Sequence, residues 1–196
     1  MKLTEKLGHP VAPSQSPIHS NSVGTPLRQG LDFVHNALIG TGIRDHIRII
    51  AAGKVMSAFH MLRLMALGAD TINSARAMMF ALGCIQLRHC NQDTCPTGIA
   101  TQNPARYKAL DVDEKSVRVA NYHAAMIKNL MELVAAAGLS SLDELQPCHI
   151  NRRVNGAETR NYAELYPCIA DGCLASGIEI PEVWRNNWGQ AVSSAW

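Results

Sequence analysis

The sequence contains no long hydrophobic run and almost no net charge. None of its 196 residues belongs to a stretch of 18 or more apolar residues, so the length that a transmembrane helix needs is absent. Residues 1–20 carry prolines, serines and histidines where a signal peptide would need an apolar block. Lys and Arg total 18 against 16 Asp and Glu, with no long run of one sign. We therefore expect a cytoplasmic protein whose partners include neither nucleic acid nor a membrane.

Apolar residues are nevertheless abundant, at 47% of the chain, which is enough to bury the core of a globular domain. Residues 47–52 form a short β-branched run typical of a buried strand, and residues 70–74 indicate a second strand. A helical pattern ending at Gly68 lies between them, and residues 75–82 are again helical in pattern. Strand, helix and strand in this order predict a βαβ unit with parallel strands and a right-handed crossover.

The two ends of the chain differ from this central region. Residues 1–24 show neither the helical nor the strand period, and we expect a poorly ordered lead-in there. Residues 112–137 have the apolar spacing of a long helix, and the chain from Pro147 onward has the composition of an irregular tail. The prediction is a lead-in over 1–24, an α/β region over 25–110, and a mostly helical extension with an irregular tail over 111–196.

Three of the six cysteines crowd into twelve residues. Cys84, Cys90 and Cys95 have the spacing C-x5-C-x4-C, and Pro96 follows the last of them. In a reducing compartment such crowding indicates metal or redox chemistry. A proline directly after the last cysteine also follows the final ligand of bacterial ferredoxin motifs, where it shapes the turn around the cluster.

The spacing of these cysteines leaves several interpretations open. Buried free cysteines are common as small hydrophobic residues. A zinc site with His89 as fourth ligand is a second possibility, although the short cysteine pairs of structural zinc sites are absent. A disulfide is not expected in the cytoplasm, and an iron-sulfur cluster with three cysteine ligands is the remaining interpretation. Cys148, Cys168 and Cys173 have no evident partner and are interpreted as structural or incidental.

The residues around these cysteines resemble a known cluster loop. Cys84, Cys90 and Cys95 stand within a longer pattern that is similar to the 3Fe-4S loop of the glutamate synthase family, and the likeness extends from Gly24 to about Pro167. The other residues that carry it are Gly83, Pro96, Gly98, Ala100, Thr101, Gln102 and Pro104. The resemblance is closest to the FMN-binding synthase domain. It implies an α/β fold, namely the C-terminal portion of a (β/α)8 TIM barrel with about its last two βα units, holding FMN and a 3Fe-4S cluster.

The resemblance also implies a phosphate site at the ends of the two strands. In TIM barrels the phosphate of a cofactor commonly lies on the loops after strands seven and eight, against a helix N-terminus. Many family members have Asp-Gly-Gly where this chain has Ala51-Ala52-Gly53. A simple turn and solvated surface charges are the alternative interpretation. The expected contacts to FMN are Gly53, Lys54, Ser57, Ser74, Ala75 and Arg76.

The family implies the reductive amination of 2-oxoglutarate to glutamate, with electrons passing from the cluster to FMN; we assign no catalytic residue. A closed barrel takes about 250 residues, and two parallel strands cannot close one. We therefore expect an incomplete barrel that needs the rest of the synthase barrel or another glutamate synthase subunit, together with an electron donor protein. The alternative is a truncated, catalytically inactive remnant or a small iron-sulfur or interaction module.

Overall fold

The computed structural model describes residues 2–4 and 24–191, and within them a small parallel sheet with helices packed against it. The sheet has the strands β1 (Lys2–Thr4), β2 (Ile50–Ala52) and β3 (Thr71–Asn73) in the order β1-β2-β3. Both pairs are parallel, with Lys2 opposite Ile50 and Ile50 opposite Thr71. Two of these strands were predicted. The third, β1, is too short to show a period in the sequence, and the rest of the expected lead-in, residues 5–23, lies outside the described residues.

Helices connect and follow these strands. The first five are α1 (Leu27–Gly40), α2 (Ala58–Ala66), α3 (Ala75–Leu82), the short α4 (Pro104–Tyr107) and the long α5 (Val112–Ala136). β2, α2 and β3 form the predicted βαβ unit; β2 begins three residues later than expected, and β3 is shorter than expected by one residue at each end. Just before β2, the Ile49 N–H donates to the Asp70 carboxylate at 2.6 Å. This N–H is therefore not part of the hydrogen-bond ladder of the sheet.

The hydrophobic core lies between the sheet, α1, α2 and one edge of α5. Leu31, Ile49 and Ala51 have no exposed surface, and Leu62 of α2 is buried against them. Every fourth residue of one stripe of α5 is buried, which places this helix on α2 and α3. The buried residues of this stripe are Met126, Leu130 and Val134.

The long helix α5 buries less of its apolar surface than its sequence indicated. Asp111 caps its N-terminus by accepting a hydrogen bond from the Glu114 N–H at 3.1 Å, and the helix ends before Gly138, which has a φ of 79°. Other apolar residues of this helix remain exposed, because α2 and α3 cover only part of its surface. They include Val112, Val117, Ile127 and Met131, with exposures from 37% to 76%. We call this set the exposed face of α5.

An arginine links the N-terminal ends of β2 and β3 to α1. The Arg44 guanidinium donates to the Gly68 carbonyl and to Asp70, both at 2.9 Å, and its Nε donates to His35 Nδ1 at 2.9 Å. Burial and the Arg44 charge lower the pKa of His35 to about 4 against the opposing effect of Asp70, so this imidazole is neutral and can accept. The network holds the turn before β2 and the turn before β3 together.

The expectation of an irregular tail after Pro147 is wrong in part, because this region contains regular elements. β4 (Asn151–Arg153) and β5 (Thr159–Asn161) form an antiparallel hairpin, closed by Asn155, whose side-chain oxygen accepts from two backbone N–H groups. Residues 155–156 are Asn-Gly, a frequent hairpin turn. Three helices follow, α6 (Tyr162–Leu165), α7 (Cys173–Ser176) and α8 (Glu182–Gln190).

Candidate functional site

The structure brings Cys84, Cys90 and Cys95 to one pocket. Its volume is about 310 Å³ when the space open to solvent is counted. Cys84 is placed by the end of α3, because its N–H donates to the Met79 carbonyl at 3.0 Å after Gly83 has turned the chain into the left-handed region. The remaining lining is mostly apolar and comes from the same loop. It comprises Met79, Ile85, Leu87, Arg88, His89, Pro96, Thr97, Ile99 and Ala100.

The loop that carries these cysteines has an unusual backbone. Gln86, Arg88 and Asp93 have φ values of 57°, 63° and 56°, a region that residues other than glycine seldom adopt. Each such residue costs on the order of 1–3 kcal/mol and persists only where surrounding contacts hold it. Strained backbone of this kind is concentrated at binding and catalytic sites.

Cys95 lies among hydrogen-bond donors. Its Sγ is 3.2 Å from the Thr97 hydroxyl, and the N–H groups of Ala100, Thr97 and Ile99 also point at it. The Thr97 hydroxyl, together with these N–H groups, lowers the pKa of the thiol to about 7 against the opposing effect of burial. The thiolate is the form that binds metal, so this environment favours the ligating state of Cys95.

The turn between Cys90 and Cys95 is fastened to the segment that follows it. Asp93 Oδ1 accepts a hydrogen bond from the Thr101 hydroxyl at 2.8 Å and another from the Gln102 N–H. The Gln102 N–H and the Thr101 hydroxyl hold the pKa of Asp93 below its usual range, so the carboxylate is charged. Arg106 donates to the Thr94 carbonyl. These contacts close the Cys95 loop.

Glycine is required at position 98. Gly98 has a φ of 78°, and a Cβ at this position would lie 2.6 Å from the Arg106 carbonyl oxygen. An L-residue would therefore meet both an unfavourable backbone conformation and a backbone clash. Through this close approach the turn that carries Cys95 packs against α4.

The arrangement of the thiols bears on the kind of metal centre they can form. Within residues 2–4 and 24–191, no group of three or more His, Cys, Asp or Glu side chains converges in the way that a single metal ion needs. Around one zinc ion the sulfur atoms would lie about 3.8 Å apart, given Zn–S bonds of about 2.3 Å in a tetrahedron. In an iron-sulfur cluster each thiolate bonds a different iron, so the thiolates surround the pocket at wider spacing. Three thiols that line one pocket are a donor set chemically compatible with such a cluster, and His89 lines the same pocket.

The predicted phosphate residues come from the ends of two neighbouring strands. Because β2 and β3 are parallel and Ala52 lies opposite Asn73, Gly53 and Ser74 leave the sheet at the same edge. The Ser74 hydroxyl donates to the Val55 carbonyl at 2.6 Å and so ties the two loops together. The structure thus brings both groups of predicted residues to one edge of the sheet.

Two helices begin at this edge. Ser57 caps α2, where its hydroxyl oxygen accepts from the His60 N–H at 3.3 Å. The Ser74 side chain makes no such bond to α3, whose first N–H groups therefore have no side-chain cap. Ala75 and Arg76 are exposed in the first turn of that helix, and Lys54 has a φ of 49°. Uncapped N–H groups beside a glycine and two cationic residues suit a phosphate group.

The remaining cysteines lie elsewhere and do not line the pocket. Cys148 and Cys168 are exposed, and Cys173 is buried in a small cluster with Leu174 and Trp184. All six cysteines are free thiols. Their positions agree with the structural or incidental role expected for these three.

Sequence reasoning missed the residues that support the cysteine loop. Asp93 is a residue type favoured in turns, which is a weak signal for its left-handed conformation. Its partners lie eight and nine residues further along the chain, and no periodicity connects them. The contact between Gly98 and Arg106 likewise depends on the packing of α4 and has no sequence signature.

Comparison with known proteins identifies the family. Residues 14–140 match the family model described as the conserved region in glutamate synthase, which is well over half of the chain. The chain therefore belongs to the glutamate synthase family, as its cysteine loop indicated.

Individual relatives support the same assignment. The glutamate synthase large subunit-like protein YerD of Bacillus subtilis is 40% identical over 133 residues, covering 68% of this chain and 24% of that protein. The archaeal glutamate synthase [NADPH] of Methanocaldococcus jannaschii is 36% identical over 129 residues, covering 66% of this chain and 25% of its own. The glutamate synthase [NADPH] large chain of Bacillus subtilis is 34% identical over 122 residues, which are 62% of this chain and 8% of that one. The chain thus spans a quarter or less of these relatives.

One further finding concerns membranes. In the part of the chain that the structure describes, no helix combines the length and the apolar composition needed to cross a bilayer.

Proposed function

We propose that this chain is the cluster-bearing part of a glutamate synthase-type oxidoreductase. In this proposal Cys84, Cys90 and Cys95 bind a 3Fe-4S cluster, and the phosphate of FMN lies at the C-terminal ends of β2 and β3. The observation that carries the proposal is the common pocket of the three thiols. Membership of the glutamate synthase family supports it.

Each part of the loop has a role in this proposal. Cys84 is held by the C-terminal turn of α3, Cys90 lies on the exposed turn, and Cys95 accepts N–H and hydroxyl hydrogen bonds at its sulfur. Hydrogen bonds to a ligating sulfur stabilise its negative charge and adjust the reduction potential of a cluster. The lining of the pocket is mostly apolar, and Ile85 and Leu87 in that lining are exposed to solvent.

The proposed phosphate site combines a glycine, cationic side chains and a helix N-terminus, as other barrel cofactor sites do. The Gly53 backbone permits a close approach, and Lys54 and Arg76 supply positive charge on either side. Ser57 caps α2 and Ser74 ties the two loops together through their hydroxyl groups, and the N–H groups near Ala75 would hold the phosphate. Within the described residues these contacts would serve the phosphate, and the rest of the flavin would need additional protein.

The proposed reaction is the reductive amination of 2-oxoglutarate to glutamate. When bound, FMN supplies the hydride and the cluster supplies electrons to the flavin, while the protein positions both. Among the described residues no strand pairs with the outer side of β1 or of β3, and the exposed face of α5 leaves apolar side chains in solvent. Both features favour a partner that contributes the rest of the synthase barrel, either a separate chain or another glutamate synthase subunit, with an electron donor protein acting on the assembly.

A catalytically inactive iron-sulfur module is the second candidate function. The exposed thiol of Cys90 and the closed loop around Cys95 fit such a module equally well, since cluster binding alone does not need the barrel. The two candidates differ in one result. Only the oxidoreductase gains glutamate-forming activity when the remaining barrel is supplied.

Anaerobic reconstitution of the purified chain with iron and sulfide tests the proposal. We expect about three iron atoms and four inorganic sulfides per chain, as the cluster formula requires. Cys90→Ser should lower both contents strongly. Cys148→Ser, which changes an equally exposed cysteine outside the pocket, should leave them unchanged.

Two outcomes would count against the cluster. Wild-type protein that retains no iron after reconstitution would contradict it directly. Equal iron contents in Cys90→Ser and wild type would show that iron binds elsewhere.

A further inference from the structure

The turn that carries Cys95 is fastened by a carboxylate that lies outside the cysteine set. Asp93 stands two residues before Cys95, and its Oδ1 accepts from the Thr101 hydroxyl and from the Gln102 N–H. The Thr101 hydroxyl oxygen also accepts from the Asn103 N–H at 3.1 Å. Because Asn103 in turn caps α4 through the Ala105 N–H at 3.0 Å, Asp93 is connected to the start of a helix.

Two neighbouring contacts close the same turn. Arg106 on α4 donates to the Thr94 carbonyl, and Gly98 packs directly against the Arg106 carbonyl. Cys95 therefore lies between fastened points on both sides. The Asp93 carboxylate and the Arg106 contact to Thr94 hold the side that precedes the cysteine, and Gly98 holds the side that follows it.

Asp93 adopts the left-handed region with a φ of 56°, a conformation that is unfavourable for most residues and tolerable for Asp and Asn. The side chain compensates by forming hydrogen bonds that hold the turn in this conformation. An exposed carboxylate with these bonds contributes little to global stability, since its loss exposes no apolar core. The Asp93 carboxylate therefore acts locally, on the direction in which the Cys95 side chain points.

We propose that Asp93 is a positioning residue for the cluster, which orients Cys95 by fastening the turn to Thr101 and Gln102. This inference rests on the proposed function, because the cluster is the ligand that Cys95 would hold. Residues that orient metal ligands typically change metal affinity by about 10- to 100-fold when they are replaced. Asp93 has the geometry of such a residue.

The test compares Asp93→Ala, Asp93→Asn and Thr101→Val with wild type in three measurements on the full chain, of which the third is the thermal midpoint of unfolding. The first is the rate of iron release from reconstituted protein to a ferrous-iron chelator. The second is backbone hydrogen exchange of residues 90–102 in iron-free protein. Asp143→Ala, at an exposed carboxylate away from the loop, is the matched control.

We expect Asp93→Ala to release iron about 10-fold faster than wild type and to exchange faster across residues 90–102, with an unchanged thermal midpoint. Asp93→Asn should behave like wild type in iron release and hydrogen exchange, because it keeps an oxygen acceptor for the Gln102 N–H. The effects of Asp93→Ala and Thr101→Val should be less than additive in the double variant, since both remove the hydrogen bond between the Thr101 hydroxyl and the Asp93 carboxylate. Asp143→Ala should match wild type.

Several results would overturn the inference. Iron release from Asp93→Ala at the wild-type rate would do so, as would Asp93→Asn losing iron as fast as Asp93→Ala. A lower thermal midpoint in parallel with faster iron release would indicate a merely structural role. Wild-type protein that binds no iron would overturn the proposed function and this inference together, and it is recognised before any variant is compared.

Discussion

Asp32 on α1 is a partly buried carboxylate whose effect on stability depends on pH. Burial raises its pKa to about 6, although the hydrogen bond from the Asn36 side chain at 2.9 Å opposes the shift. In the unfolded chain the pKa is about 3.9. Between these values the native state binds the proton more tightly than the unfolded state, so the stability that Asp32 contributes is lost as pH rises from about 4 to 6.

Asp32→Asn should therefore stabilise the protein more at pH 7.5 than at pH 4. The amide keeps an acceptor for Asn36 and carries no charge that burial would penalise. Urea unfolding of both proteins at the two pH values measures this difference, and the other titrating groups, including His35, cancel because both proteins contain them. An equal effect of the substitution at both pH values would contradict the prediction.

Gly98 offers a test of the close approach in the cysteine loop. Gly98→Ala should lower the free energy of unfolding by more than Gly138→Ala does. Both glycines have nearly the same φ, 78° and 79°, so the backbone cost of about 1–2 kcal/mol is shared. Only Gly98 has a neighbouring carbonyl at 2.6 Å from the added Cβ, whereas Gly138 has nothing within 4 Å.

Chemical denaturation of the two variants measures the free energy of unfolding. Reconstitution of the folded variants with iron and sulfide measures how much iron each retains. Gly98→Ala should also retain less iron, because the clash displaces the Cys95 turn. Equal destabilisation by the two substitutions would show that the contact with Arg106 has no energetic consequence.

At the scale of elements, the sequence predicted the βαβ unit because its strands are short, apolar and buried and its helix has a clear period. The hairpin of β4 and β5 was missed, since its strands are polar and almost wholly exposed and show no alternation. The Asn-Gly pair at 155–156 was the available signal. The buried stripe of α5 was narrower than predicted, because burial depends on how much of the helix α2 and α3 cover. The three cysteines were predicted from sequence, but their supporting contacts arise only from folding.

The tail folds back on α1 through its last helix. Phe33 of α1 and Trp184 of α8 stack with ring centroids 4.6 Å apart and planes inclined by 13°. Further along α1, Asn36 accepts from the Ile169 N–H at 3.1 Å. These contacts cover α1 with residues beyond the region matched by the family model.

Trp184→Ala should release α8 from α1 while the rest of the molecule stays folded. The substitution removes the aromatic stack and most of a small cluster that the main core does not include. Hydrogen exchange should become faster in residues 182–190 and remain unchanged in residues 112–136. Val183→Ala, at a residue 75% exposed in the same helix, should have no effect. Faster exchange throughout the chain would contradict this local role.

At the scale of the whole molecule, the proposed phosphate site lies on a sheet that has three parallel strands within the described residues, fewer than the eight of a closed barrel. We therefore expect the purified chain to hold FMN far below one equivalent after dialysis, as measured by flavin absorbance. Addition of a chain that supplies the other barrel strands should raise the flavin content. Stoichiometric FMN on the chain alone would contradict the expectation of an incomplete barrel.

The central claim is that Cys84, Cys90 and Cys95 together hold a three-iron cluster. Electron paramagnetic resonance of the anaerobically reconstituted chain tests it most directly. We predict the spin-half signal of an oxidised 3Fe-4S cluster, integrating to about one spin per chain and disappearing on one-electron reduction. The signal should be absent in Cys90→Ser and present in Cys148→Ser. Iron-loaded wild-type protein without this signal, or a signal that survives in Cys90→Ser, would contradict the account.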